Sequence, residues 1–415
     1  MSRSEAEQSQ GAGGALPVAE PGAASDPLKI LMIAPTPYFS DRGCHVRIFE
    51  EARGLMAKGH MVRIVSYHLG RSPDPVPVDR IVEVPWYGKR EAGPSWHKLY
   101  LDLLLLVKAL AVAGRFRPQL IHAHLHEGAL IGWVVAKVLG VPLVFDYQGS
   151  LTGESLNHGF FKVGSLLHRL FRKVEDRINR LADLVITSST PGRDELVHSG
   201  LPDQRVVSFP DGVDTMMFRP LSRSEARRRL GINEDLPLIV YLGLLNYYQG
   251  TDLLLEAAVI LKERRCTYHL LVMGFPEERY RAKAEKLKLS GFVTFTGRVD
   301  YDDAPLLLSA GDLAVSPKLS DTEANGKLLN YMACGLPTVC FEGPVNRELL
   351  GDDGIYAERG SAADLARCLE EALLGQDTLN QQGQRLRLRA REEHSWKRRT
   401  DDLETWYRQL LRVAK

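Results

Sequence analysis

Leu238-Ile239-Val240-Tyr241-Leu242-Gly243 repeats the opening of an earlier stretch, Lys29-Ile30-Leu31-Met32-Ile33-Ala34, and this repetition decides the fold. Each is a short, continuous apolar run, the pattern of a strand buried on both faces of a parallel sheet. After the first run come a loop with Pro35, Pro37, Asp41 and Gly43, a helical stretch from Val46 to Ala57 capped by Gly59, and a second strand, Met61 to Ser66. That is one βαβ unit. After the second run a helix is expected over 251–263, so the unit recurs.

Working outward, further strands are expected at 81–85, 119–123, 142–146, 183–187 and 205–208. In the second series they fall at 268–273, 292–295, 312–315, 337–340 and 354–356, with a helix near 326–334. Strands alternating with helices argue an α/β fold of two Rossmann-like domains facing a cleft. The expected domains are 28–215 and 216–390, joined where Pro210, Asp211, Gly212, Pro220 and Ser222 cluster. Residues 391–415 read as a helix packing back on the protein. Residues 1–27 hold no aromatic residue and are expected to be a disordered tail. Leu99–Ala113 reads as a buried helix, too short to span a bilayer.

The chain has 415 residues, 44% hydrophobic and 25% charged, which excludes fibrous, wholly disordered and disulfide-scaffold classes. A net charge of +1 gives no reason to expect nucleic acid as a partner. Five cysteines without a CxxC pair suggest reduced thiols in a cytoplasmic protein. No signal peptide or transmembrane run is read.

In open α/β sheets ligands sit at the carboxyl ends of strands. The richest such loop is Ser316–Pro337, where a strand enters a polar segment and a helix starts near Gly326. A helix N-terminus offers free N–H groups and partial positive charge, and Lys318 and Lys327 add full charges. His122, His124 and His126 alternate and would share one face of a strand; zinc there is disfavoured, because no fourth ligand has obvious spacing.

The segment Met332-Ala333-Cys334-Gly335-Leu336-Pro337-Thr338-Val339, with the polar loop before it, resembles the donor site of the family 4 retaining glycosyltransferases, which have the GT-B fold. Leu120-Ile121-His122-Ala123-His124, Asp211-Gly212-Val213-Asp214 and Gly250-Thr251-Asp252-Leu253 match other family segments in the same order, across roughly 28–413. The resemblance implies a nucleotide-sugar donor, no cofactor and no metal, with His124, Lys327 and Glu323 as catalytic candidates. It implies donor contacts from Gly43, Gly243, Lys318, Asn325, Gly326, Leu328 and Asn330. It also implies that the leaving-group oxygen helps deprotonate the acceptor on the same face. Gln148 and Glu154, after another strand, are acceptor-side candidates. The sequence departs from the family where an Arg, a Lys and a Glu are usual: those positions hold Leu244, Gln249 and Asn330. Tyr247-Tyr248-Gln249-Gly250 and the lysine in the donor loop resemble a divergent branch, in which Lys327 compensates for the lost charge.

Residues 161–181 carry Val163, Leu167, Leu170, Val174, Ile178 and Leu181 at helical spacing beside six basic residues. The stripe is expected either to cover the sheet or to contact an anionic membrane. The sequence therefore predicts a metal-independent glycosyltransferase acting on a glycan or lipid-linked acceptor, cytoplasmic or peripheral on the inner face of the membrane. A sugar-nucleotide epimerase of the same fold and a non-catalytic sugar-nucleotide binding module are the alternatives. A dinucleotide oxidoreductase is disfavoured, since no GxGxxG follows the first strand.

Overall fold

The computed structural model describes residues 26–39, 43–88, 96–157 and 160–413. The expected tail lies outside these residues except for Asp26 and Pro27, and Asp41 lies outside them too. Strands β1 (Lys29–Ala34), β2 (Met61–Ser66), β3 (Val78–Arg80), β4 (Leu120–His124), β5 (Leu143–Tyr147), β6 (Leu184–Thr187) and β7 (Val206–Ser208) form a parallel sheet in the order β3-β2-β1-β4-β5-β6-β7. Strands β8 (Leu238–Leu242), β9 (His269–Met273), β10 (Val293–Gly297), β11 (Leu313–Ser316), β12 (Thr338–Phe341) and β13 (Ile355–Ala357) form a second, in the order β10-β9-β8-β11-β12-β13. In each sheet the order reverses beside the first strand, between β1 and β4 and between β8 and β11. Such a switch point opens a crevice between neighbouring loops.

The helices of the first half are α1 (Gly43–Ala57), α2 (Lys98–Phe116), α3 (Leu125–Leu139), α4 (Leu151–Asn157), α5 (Leu166–Asn179) and α6 (Thr190–His198). Those of the second are α7 (Arg223–Leu230), α8 (Thr251–Glu263), α9 (Glu278–Lys286), α10 (Ala304–Leu308), α11 (Gly326–Ala333), α12 (Pro344–Leu350), α13 (Ala362–Leu374) and α14 (Gln376–Glu393); α15 (Trp396–Val413) follows. Each sheet is covered on both faces, so its central strands, such as β1 and β8, are apolar along nearly their whole length. The helix α15 returns to the first domain, where Trp396, Leu403 and Tyr407 join Ile30, Met32 and Ile64 in one core. The two crossings between domains touch: Val213 N–H donates to His394 O at 2.8 Å, and Trp396 N–H to Val213 O at 3.3 Å.

Three expectations need correction. The strand expected at 81–85 is Val78–Arg80: the ladder with β2 ends where Ile81 N–H donates to Ser66 O at 3.0 Å, and Val84 buries beyond it. The helix at Leu99–Ala113 is not wholly buried: Leu99, Leu103 and Val107, spaced four apart, face outward. The stripe of 161–181 does not cover the sheet, since Val163, Leu167, Leu170 and Val174 are exposed and Ile178 is its buried member. The inward face of α5 is instead the one carrying Glu175, Ile178 and Asn179.

Candidate active site

A cavity of about 350 Å³ lies between the domains, at the carboxyl ends of both sheets. Of the sequence-predicted residues, Gly43, Gln148, Gly243, Lys318, Glu323, Asn325, Gly326, Lys327 and Asn330 line it. His124, Glu154 and Leu328 do not. Leu328 is buried in the core of the second domain, and its N–H is taken by Asn325 O at 2.9 Å. Glu154 is exposed on α4. His124 is fully buried behind the wall of the cavity.

The second-domain wall is built from the loops after β8 and β11 and the start of α11. Lys327, the second residue of α11, reaches across to the β8 loop. Its Nζ donates to Gln249 Oε1 at 2.5 Å and lies 4.7 Å from the centre of the Tyr241 ring. Gly243 makes this reach possible: with φ +148°, a Cβ there would stand 3.0 Å from Lys327 Cε. Lys318 donates to Ala324 O at 2.6 Å and lies 3.4 Å from Glu323 Oε2. Burial, reinforced by Lys318, pushes the Lys327 ammonium well below the usual lysine range. Burial also lowers Lys318, opposed by Glu323. Lys318 thus has Glu323 as its carboxylate partner, whereas among the described residues no carboxylate pairs with the buried Lys327, and an anionic ligand would supply one.

The other loop residues differ in their freedom. The Asn325 amide donates to Asn346 Oδ1 at 2.9 Å and Ser316 Oγ at 3.0 Å, so it shapes the loop. Glu323 lies over Gly149 of the first domain, where a Cβ would stand 3.0 Å from its Cγ. The Ser189 hydroxyl donates to Thr322 O, and Thr190 Oγ1 donates to Glu348 Oε1 at 2.6 Å. The first contact closes the loop after β11 onto the end of β6, and the second ties α6 to α12.

On the first-domain side the central residue is Arg47, which sequence reasoning missed. It lines the cavity from α1 yet is almost fully buried. Its Nη2 donates to Asp146 Oδ1 at 2.8 Å, and its Nη1 to Asp211 Oδ1 at 2.8 Å and Phe209 O at 2.9 Å. Its Nε lies 3.1 Å from Glu51 Oε1. The sequence signal was present: Arg47 and Glu51 are four apart and share a helix face. One guanidinium therefore ties α1, β5 and the interdomain joint together. Burial opposes ionisation of Asp146, but Arg47 and His124 outweigh it and hold the carboxyl well below its usual range.

His124 Nδ1 is 2.9 Å from Asp146 Oδ2, and Gln148 Nε2 donates to the same oxygen at 2.6 Å. An ionised Asp146 places the His124 proton on Nδ1. Burial lowers the His124 pKa, against the pull of Asp146. Gln148 lines the cavity in front of this pair, and His124 does not reach the wall. Behind it, Tyr407 OH meets His122 Nδ1 at 2.5 Å. His126 does not share their face: β4 ends at His124, and the His126 ring packs against Phe145 and Tyr147 from α3.

Among the described residues, Glu51, His122, His124 and Asp146 are close enough to hold a metal ion. Arg47 contacts both carboxylates, placing a fixed cation where the ion would compete.

Residues 42–212 match the family model "Glycosyl transferase 4-like domain", and residues 222–389 match "Glycosyl transferases group 1". The chain is 26% identical over 400 residues to the sulfoquinovosyl transferase SQD2 of Arabidopsis thaliana, covering 92% of this chain and 74% of that protein. Among solved structures, sucrose-phosphate synthase from Thermosynechococcus elongatus aligns with a TM-score of 0.77 at 19% identity, covering 92% of this chain and 99% of that one. Anabaena Alr3699/HepE, solved in complex with UDP-glucose, aligns at 0.74 and 17% identity, covering 92% and 100%.

Proposed function

The chain is a GT-B glycosyltransferase of the family 4 type, and from that premise we propose that it moves a hexosyl group, with retention, from a nucleoside-diphosphate sugar to a glycan or a glycolipid precursor. The observation that carries this reading is the placing of Lys318, just after β11, and Lys327, at the start of α11, on one wall of the interdomain cavity. Transfer breaks a bond to a diphosphate, and two negative charges grow as it departs. Two desolvated ammonium groups and the N-terminus of α11 stabilise that charge without reorganising.

Asp211 and Glu323 are the carboxylates among the described lining residues. Asp211 is bound to Arg47, so Glu323 alone is available to the donor sugar. Transfer by a departing diphosphate oxygen that takes the acceptor proton on its own face needs no second carboxylate, and it retains configuration. Gln148 faces the acceptor from the other wall. Among the described residues no two cysteines form a disulfide, in keeping with a cytoplasmic setting.

The test is a panel of UDP-, GDP-, ADP- and dTDP-sugars read by thermal shift, followed by product analysis. A donor at 100 times its Kd adds about 2.7 kcal/mol of stability. Slow donor hydrolysis, with transfer of the same anomer to an added acceptor, supports the reading. Binding without hydrolysis would make the protein a sugar-nucleotide binding module, and conversion of the donor sugar without transfer would make it an epimerase.

A further inference from the structure

We propose that the outer face of α2, α3 and α5 docks the first domain on an anionic lipid surface. The three helices lie side by side, α2 against α3 and α3 against α5. Their outward residues are unusually apolar: Leu99, Leu103 and Val107 on α2 are 70%, 62% and 60% exposed, and Leu166 on α5 is 83% exposed. Trp96, just before α2, packs its ring 5.9 Å from that of Phe160, just before α5, and joins the two ends of the patch. Isolated exposed apolar residues are ordinary, but a connected group of them marks a contact surface.

Charge selects the partner. The exposed charged residues within α5 are all basic: Arg169, Arg172, Lys173 and Arg177. Among the described residues, none of their side chains has an ion pair or hydrogen bond. Of the acids on these helices, Glu127 is engaged by Lys98 at 2.6 Å and Asp102 by Tyr67 at 2.5 Å, and Asp176, half-buried, is one charge against four. A second copy of this chain, docked about a twofold axis, would set these cations against their own copies. A layer of anionic headgroups over an acyl core supplies both missing complements, negative charge and apolar depth.

The patch also connects to the cavity. On the inward side of α5, Glu175 accepts from Leu151 N–H at 3.0 Å, Thr152 N–H at 3.1 Å and Ser150 Oγ at 3.2 Å. The same helix thus faces the lipid and fixes the loop that follows Gln148. A lipid-linked acceptor would enter beside that loop; this last step rests on the proposed transfer reaction, whereas the docking does not.

The experiment is flotation of the full chain with phosphatidylglycerol/phosphatidylcholine vesicles and with pure phosphatidylcholine. Binding to the anionic vesicles, weakening with salt, is expected. R169Q/R172Q/K173Q should weaken it by up to about 150-fold, at roughly fivefold per charge. Leu166→Asp with Leu170→Asp should weaken it too, while donor hydrolysis in solution stays unchanged. Trp96→Phe should remove most of the fluorescence blue shift that vesicles induce. Equal binding of wild type and both multiple variants, or no binding to anionic vesicles, would overturn the proposal. So would self-association of the wild type that the variants abolish without any vesicle binding. Loss of hydrolysis with docking intact would count against the transfer reading alone.

Discussion

Lys327 Nζ and Gln249 Oε1 meet at 2.5 Å at the carboxyl end of β8, joining the loop after that strand to the first turn of α11 on one wall of the cavity. The resemblance places a lysine at position 249, and here the amide of Gln249 holds a lysine that comes from α11.

Lys327→Met should therefore lower kcat by about 10²–10³, as removal of one charge-stabilising donor does. In the double variant Lys327→Met/Gln249→Lys, at least tenfold should return. Steady-state kinetics with the preferred donor checks both; single-variant activity within threefold of wild type would remove Lys327 from the mechanism.

Burial lowers the Lys327 pKa, so in the donor-free protein the folded state binds fewer protons than the unfolded one between the lowered value and the ordinary lysine pKa of about 10.4. Stability must rise with pH across that window. Lys327→Met should be more stable than wild type without donor, with the largest gap below the window and none above it. Denaturant unfolding across alkaline pH measures this. Donor binding should take up protons, seen by calorimetry in buffers of different ionisation enthalpy.

Arg47→Met would leave Asp146 and Glu51 buried without their cation. Breaking one side of such a pair costs about 3–5 kcal/mol. A urea midpoint unchanged from wild type would show that the guanidinium is dispensable to the joint.

EDTA should leave transfer unchanged, and elemental analysis should find no stoichiometric zinc, because Arg47 already serves the carboxylates of the cluster formed by Glu51, His122, His124 and Asp146. Zinc that disappears in a His122→Ala/His124→Ala variant would reverse this assignment.

The parts legible in the sequence are those whose cause is local. The apolar runs at Leu31 and Val240, and the donor loop from Ser316 to Pro337, are contiguous, so their pattern carries their structure. The Arg47 junction was not legible, since α1, β5 and the joint meet only through folding. The resemblance singles out His124 as the second histidine of an HxH strand end, but its burial depends on Gln148 and Asp146 in front of it. For α5, periodicity shows that one stripe is apolar without showing which stripe the sheet covers. Glu175, Ile178 and Asn179 turn inward, and the more conspicuous leucines turn out.

The return of α15 has a consequence for synthesis on the ribosome. The face of the first sheet that holds Ile30, Met32 and Ile64 is completed by Trp396, Leu403 and Tyr407. Ser208, the last residue of β7, and Trp396 are made on the order of ten to forty seconds apart at ordinary elongation rates. During that interval α1 covers only part of this core, through Ile48, Phe49 and Leu55, and the rest of the face stands open while the entire second domain is being made. A chain cut near Pro220 would keep that face uncovered for good, so the first domain released by proteolysis at the joint should aggregate, although its sheet is intact.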